Sequence, residues 1–254
     1  MFALALAGAI GLIAAGSARA QGWGTIKGRV VWDGPQAPKR AQVNVTKDQQ
    51  ACQKNGPLLE DKLVVNPKNK GIRWCVVYLM DADGFNKAIP IHPKLQAIKN
   101  KTVELDQPCC QFEPHMVALR EGQTLVVKNS ATIAHNVNIV GGAKGPNLNQ
   151  IVPAGGSFKV EDIKARPLPM IVKCDIHPWM SGRIAVLKHP YFVVTDADGN
   201  FEIKDAPAGN FRLVISHEEG WVLGEPKPSK NGKKIAIKAG QTTDLGDIRW
   251  KPAE

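Results

Sequence analysis

Cys174, His177 and Met180 stand close together in the run Lys173-Cys174-Asp175-Ile176-His177-Pro178-Trp179-Met180-Ser181-Gly182, and His135-Asn136 lies upstream. One thiolate, two imidazoles and a thioether form a soft donor set, which selects copper over hard cations such as calcium or magnesium. Two nitrogens and a thiolate round the ion, with the thioether weak along the axis, suit a site that moves single electrons. The chain is expected to bind one copper ion. No second cysteine lies between Cys174 and Gly182 to bridge a binuclear centre, and the His-x-His clusters of a multicopper oxidase are missing.

Strands must carry these donors. Side chains on a strand alternate faces, so Met170, Val172 and Cys174 share one face while Ile171 and Lys173 take the other. By the same parity His135, Val137 and Ile139 point into the core, and Asn136 and Asn138 point away. His177 precedes Pro178 and the next strand resumes near Gly182, which puts His177 and Met180 on one tight loop. A closed site with little solvent access is expected. A lone Cys-x-x-His would be weak evidence; the loop, the His-Asn strand start and the matching parity together carry the reading. Phe112 to Leu119 and Gln123 to Asn129 read as a hairpin, followed by a Gly-rich loop from Gly141 to Gly156. That hairpin would bring His115 near the metal end, as a further ligand, a proton-linked neighbour of the ligands or a surface residue on a docking face. His92, His189 and His217 have no evident partners and read as ordinary loop or edge histidines.

The five cysteines are an odd number. Cys52, Cys75, Cys109 and Cys110 can form up to two disulfides and leave Cys174 for a metal; the alternative puts Cys174 itself in a bridge. Cys52 with Cys110, and Cys75 with Cys109, is the preferred pairing, although spacing alone does not fix connectivity. Residues 1–20, with an apolar run from Phe2 to Ala15 and Ala18-Arg19-Ala20 before Gln21, read as a cleavable export signal to the periplasm or outside the cell. The usual positive start is missing, so an uncleaved anchor is the alternative; no later segment is apolar enough to span a bilayer.

Glycine and proline among many Val, Ile and Thr favour an all-β chain. Lys and Arg outnumber Asp and Glu by 33 to 23. The Lys-rich stretch from Lys227 to Lys238 reads as a solvated loop and edge strand, with a docking patch for an acidic partner as the alternative; nucleic acid does not suit an exported chain. Asp196-Ala197-Asp198-Gly199 reads as a hairpin turn between Phe192–Thr195 and Phe201–Ile203. A calcium loop there fails, because Phe201 and Pro207 occupy the positions where an EF-hand needs Gly and Glu.

From about Cys110 to Leu187 the chain resembles a cupredoxin, with a ligand loop of the amicyanin and plastocyanin type: Phe112-x-Pro114, Gly122 to Asn129, His135-Asn136-Val137, then Cys174-x-x-His177-x-x-Met180. The resemblance implies a type 1 copper site in a Greek-key β-sandwich, with His135 and His177 ligating through ring nitrogens, Cys174 through sulfur and Met180 weakly. Asn136 would tie the two ligand-bearing segments together, and the edge of His177, framed by Pro178 and an exposed Trp179, would be the electron port. Two residues depart from the pattern. Asp175 stands where Ser or Thr is common and brings a carboxylate near the metal. Ile176 stands where Pro is usual, and its N–H is expected to donate to the Cys174 sulfur and raise the potential.

The flanks resemble a carboxypeptidase regulatory-like, or transthyretin-like, β-sandwich. Gly24-x-Ile26-x-Gly28-x-Val30 carries its first strand, and Thr195-Asp196-x-Asp198-Gly199-x-Phe201-x-Ile203 with Pro207-Ala208-Gly209-x-Phe211-x-Leu213 its later ones. The expected order is a signal over 1–20, the first part of this sandwich over 21–85, a cupredoxin domain over 86–187 and the second part over 188–254. The combination is similar to exported proteins labelled methylamine utilisation. It implies an electron carrier rather than an enzyme, working with a redox partner protein. The alternatives are a copper capture and delivery protein, or an extracellular binding module with structural copper. Donor, acceptor and oligomeric state stay open.

Overall fold

A computed structural model describes residues 22–225 and 227–253; the export-signal reading of residues 1–20 lies outside them. The fold is all-β, with two short α-helices and one 3-10 turn, Gly142–Lys144, among the described residues. In order run β1 (Trp23–Trp32), α1 (Gln49–Cys52), β2 (Val76–Asp81), α2 (Pro93–Gln96), β3 (Thr102–Leu105), β4 (Met116–Arg120), β5 (Thr124–Lys128), β6 (His135–Val140), β7 (Asn147–Val152) and β8 (Ser157–Val160). Then come β9 (Met170–Lys173), β10 (Ser181–Leu187), β11 (Phe192–Val194), β12 (Asn200–Pro207), β13 (Gly209–His217), β14 (Gly220–Trp221), β15 (Lys233–Ile237) and β16 (Thr242–Trp250). No helix among the described residues is long and apolar enough to cross a membrane.

Four sheets form. The middle of the chain builds β4-β10-β9-β6-β7 and β3-β5-β8, while the two ends together build β12-β1-β16 and β11-β2-β13-β14, with β15 added to β13. Alternating side chains divide the apolar residues among three cores. Val117, Leu125, Val137, Val172, Ile184 and Val186 fill the middle sandwich. Ile26, Val77, Leu79, Phe201, Leu213 and Ile215 fill the flanking one. The third core lies between the sandwiches: Val76, Tyr78 and Met80 of β2 and Val214 of β13 meet Met116 of β4 and Ala185 and Leu187 of β10. This explains why β2 is a nearly continuous apolar run and why β10 ends in one, Ile184 to Leu187, for there each is buried on both faces.

Three expectations from the sequence are corrected. The Phe112–Leu119 and Gln123–Asn129 segments do not pair as a hairpin: β4 runs parallel to β10, β5 pairs with β3 and β8, and the Arg120–Gln123 turn crosses between sheets. The Gly-rich loop contains β7, whose six residues pair with all of β6. Its Asn and Gln side chains are exposed, so it lacks the apolar weight that marks a strand in sequence. The Asp196–Gly199 turn forms, yet β11 pairs with β2 and β12 with β1, so it joins two sheets. Gly199 lies against Val30 O and the Ile72 amide, and a Cβ there would collide with both.

Candidate metal centre

β9 has the expected parity. Met170 and Val172 are buried and Ile171 and Lys173 exposed, and Cys174 continues the buried column. The chain then turns tightly: the Met180 amide donates to His177 O at 2.9 Å, and the Cys174 amide donates to Met180 O at 3.1 Å. Gly182, the second residue of β10, passes close to His115 O, and a Cβ there would lie 2.8 Å from that oxygen. His135 begins β6, the other neighbour of β9.

These elements bring the donors together. His135 Nδ1 and His177 Nδ1 face each other at 2.9 Å, and Cys174 Sγ lies 3.9 Å from His177 Nδ1. Atoms bound to one ion at ~2.0 Å for nitrogen and ~2.3 Å for sulfur must lie roughly 3–4 Å apart, so both separations fit a shared metal. His135 and His177 are 0% exposed, Cys174 2% and Met180 1%. The Met180 side chain is packed in the same core as Cys174. Burial first, and then the neighbouring His177, pushes the His135 imidazole down to about 4, against a weaker upward pull from Asp48. At neutral pH His135 therefore keeps its ring lone pair free, which metal binding requires.

Asn136, beside His135 on β6, braces the segment that carries Cys174. Its Oδ1 accepts from the Asp175 amide at 2.7 Å, the Ile176 amide at 3.0 Å and the Cys174 thiol at 3.2 Å. Its backbone N–H approaches Cys174 Sγ at 3.5 Å. The Ile176 N–H is therefore not a donor to sulfur, as the sequence had led us to expect; the amide facing the sulfur belongs to Asn136. The Asp175 carboxylate accepts from Asn138 at 2.8 Å and Asn149 at 2.7 Å and pairs with Lys173 at 3.0 Å. Hydrogen bonding to Asn138, then to Lys173, holds it down at about 2. Asn138 and Asn149 were not anticipated as site residues, although the period-two Asn136, Asn138 on β6 was a readable signal.

The electron-port expectation is corrected. The His177 edge is buried, and its Nε2 meets the Asp48 carboxylate at 2.9 Å. Trp179 is half-buried rather than exposed: its ring lies 5.2 Å from that of His177, and its Nε1 donates to Cys110 O at 3.2 Å. Cys52 and Cys110 form a disulfide. Cys75 and Cys109 do not pair and are free. Cys75 is fully buried near Thr195, and burial pushes its thiol up to about 12.

His115 is neither on the surface nor turned to the donors. It is 1% exposed and sits between carboxylates, with Asp61 Oδ1 3.4 Å from Nδ1 and Glu218 on Nε2. Glu218 also pairs with Arg183 at 3.0 Å. Burial alone would lower His115, but Asp61 and Glu218 outweigh it and push it up to about 9. His189, in the loop between β10 and β11, and His217, at the end of β13, are both buried, and burial lowers each to about 4. His92 accepts from the Lys94 amide through Nδ1, beside Trp23.

No family model matches the chain, and no curated protein matches it. Similar solved structures include a purple cupredoxin and mutants of amicyanin. A purple cupredoxin from Nitrosopumilus maritimus is 17% identical over 33% of this chain and 97% of its own, with a TM-score of 0.29. One amicyanin mutant in the Cu(I) form is 20% identical over 34% of this chain and 82% of its own, at 0.31. A second, also Cu(I), is 17% identical over 50% of this chain and 99% of its own, at 0.31. With scores this low, the case for the site rests on its donor atoms.

Proposed function

We propose that this chain is an exported blue-copper protein that carries single electrons between redox partners, with His135, Cys174, His177 and Met180 as the copper ligands. The observation that carries the reading is the meeting of two imidazole Nδ1 atoms and one free thiol in a pocket sealed from water. Copper bound there supplies a Cu(II)/Cu(I) couple that takes up and gives back one electron. The chain's part is to hold its donors still. Asn136 pins the backbone after Cys174, Asp175 is gripped by two asparagines, and the Met180 and Cys174 amides close the loop, so little geometry changes with charge. No catalytic role is assigned.

The Cys52–Cys110 disulfide suits an oxidising compartment such as the periplasm. The formal charge of +10 favours a redox partner with an acidic docking face. Copper delivery is the competing reading, and the burial of all four donors opposes it, since delivery needs open, exchangeable ligation. Voltammetry of the copper protein, with copper transfer to an excess of chelator, tests the choice. The proposal expects a reversible one-electron wave and slow transfer; no wave with rapid transfer would favour delivery.

A further inference from the structure

We infer that Asp48 is a positioning residue of the metal centre, carried by a disulfide-anchored strap from outside the sheets that hold the donors, and that it fixes the ring of His177 with Nδ1 free to face the metal. The inference rests on the copper reading above and adds to it a residue far from the donors in sequence.

Asp48 directly precedes α1, and its carbonyl accepts from the Ala51 amide at 3.0 Å and the Cys52 amide at 2.9 Å. Aspartate in this place ordinarily turns its side chain onto the first amides of the helix. Here the side chain makes no such bond, and the backbone is left-handed at φ 51 and ψ 35. The carboxylate reaches His177 Nε2 instead, at 2.9 Å. A carboxylate accepting from that nitrogen keeps the proton on Nε2 and leaves Nδ1 bare, and the partner of a ligating histidine in this way sets its tautomer, orientation and basicity. Nδ1 is the atom turned to His135 and Cys174.

The strap is built to stay in place. Cys52, at the end of α1, is bonded to Cys110, and both sulfurs lie with a His177 ring nitrogen in a group spanning no more than 4.8 Å. Gln49 Nε2 donates to Val45 O at 2.8 Å, and the limbs of the strap are tied by the Val43 amide on Leu58 O and the Glu60 amide on Ala41 O. Val43, Val45 and Leu58 are buried in the middle core. An ordinary surface ion pair would leave both partners wet. Here the imidazole is fully buried, and the Asp48 side chain, 39% exposed, lies between it and solvent.

The test compares the wild type with Asp48→Ala, Asp48→Asn and Gln49→Ala, the last loosening the strap while sparing the carboxylate. In metal-free protein, nitrogen-15 NMR of His177 should show the Nε2–H tautomer in the wild type and in Gln49→Ala, and lose that preference in Asp48→Ala. In copper protein, Asp48→Ala should bind Cu(II) about 10- to 100-fold more weakly. Its reduction potential should rise, because a negative charge beside the ligand favours the more highly charged ion; Asp48→Asn should fall between. An unchanged tautomer and potential in Asp48→Ala would overturn the inference, as would an equal shift in Gln49→Ala. A wild type that takes up no copper would sink the copper reading, while the metal-free tautomer would still decide the role of Asp48.

Discussion

At the candidate metal centre His135 packs against His177 and Cys174, and Asp48 meets the far nitrogen of His177. At the junction between the sandwiches His115 lies between Asp61 and Glu218, with Arg183 on the other side of Glu218. Both histidines are almost fully buried, and burial pushes each toward the neutral form. One ends at about 4 and the other at about 9. At equal depth the neighbours set the difference: two carboxylates flank His115, whereas His135 faces another imidazole. A bare lone pair at neutral pH suits His135 for a metal; the proton that His115 holds makes it one member of a buried ion network.

Removing Glu218 breaks the comparison most severely. Glu218→Ala leaves Arg183 without this partner and His115 with Asp61 alone, and should cost about 3–5 kcal/mol in urea unfolding. Copper uptake at the other cluster should survive in the folded fraction. A loss under about 1 kcal/mol would mean that the junction charges are solvated.

The pH dependence sharpens the same contrast. His115 is raised from 6.5 to about 9, so its contribution is complete below pH 6.5 and is lost as pH climbs to about 9. The loss should be on the order of 3 kcal/mol in metal-free protein, and His115→Gln should flatten that limb. His217 is depressed to about 4 by burial, so its contribution is present above pH 6.5 and is lost as pH falls to about 4. A metal-free stability profile that is flat from pH 6.5 to 9 would contradict the charged assignment of His115.

Asn136→Ala tests the brace on the metal side. It strips the acceptor from the Asp175 and Ile176 amides, which should cost about 1–3 kcal/mol and speed hydrogen exchange at both amides. Ile176→Pro removes one of those donors and should cost about 1 kcal/mol. Unchanged exchange at Asp175 in Asn136→Ala would show that the loop holds itself.

The smallest effect belongs to the exposed flanking face, where Arg29 and Asp247 form a two-point pair at 3.0 and 2.9 Å. Asp247→Ala should change stability by less than about 1 kcal/mol. A larger loss would show that distance from the buried clusters is a poor guide to energy.

The donor set was legible because three of its members share one short loop and strand parity orients the fourth. The flanking strands were legible from their alternation; the odd cysteine count left a free thiol at Cys174 but did not fix the connectivity, since the preferred Cys52–Cys110 bridge forms and Cys75–Cys109 does not. Asp48 was not, because it reaches His177 across 129 positions and nothing local marks it, although the expected Cys52 bridge four residues on placed it nearby. The His115 cluster was hidden for the same reason, its partner Glu218 lying 103 positions away. The β4–β5 turn misled because a short polar link reads alike whether it joins neighbours in one sheet or crosses to another. The Ile176 N–H was assigned to sulfur because sequence could not show that Asn136 Oδ1 already accepts it.

On the proposed reading, one soft ion is held between His135, Cys174 and His177. Adding one equivalent of Cu(II) to the chain and to Cys174→Ser, and recording visible absorption with electron paramagnetic resonance, tests it most directly. An intense sulfur-to-copper band is expected in the wild type and its loss in Cys174→Ser. A wild type that stays colourless with copper bound, or a band that survives loss of the thiol, would contradict it.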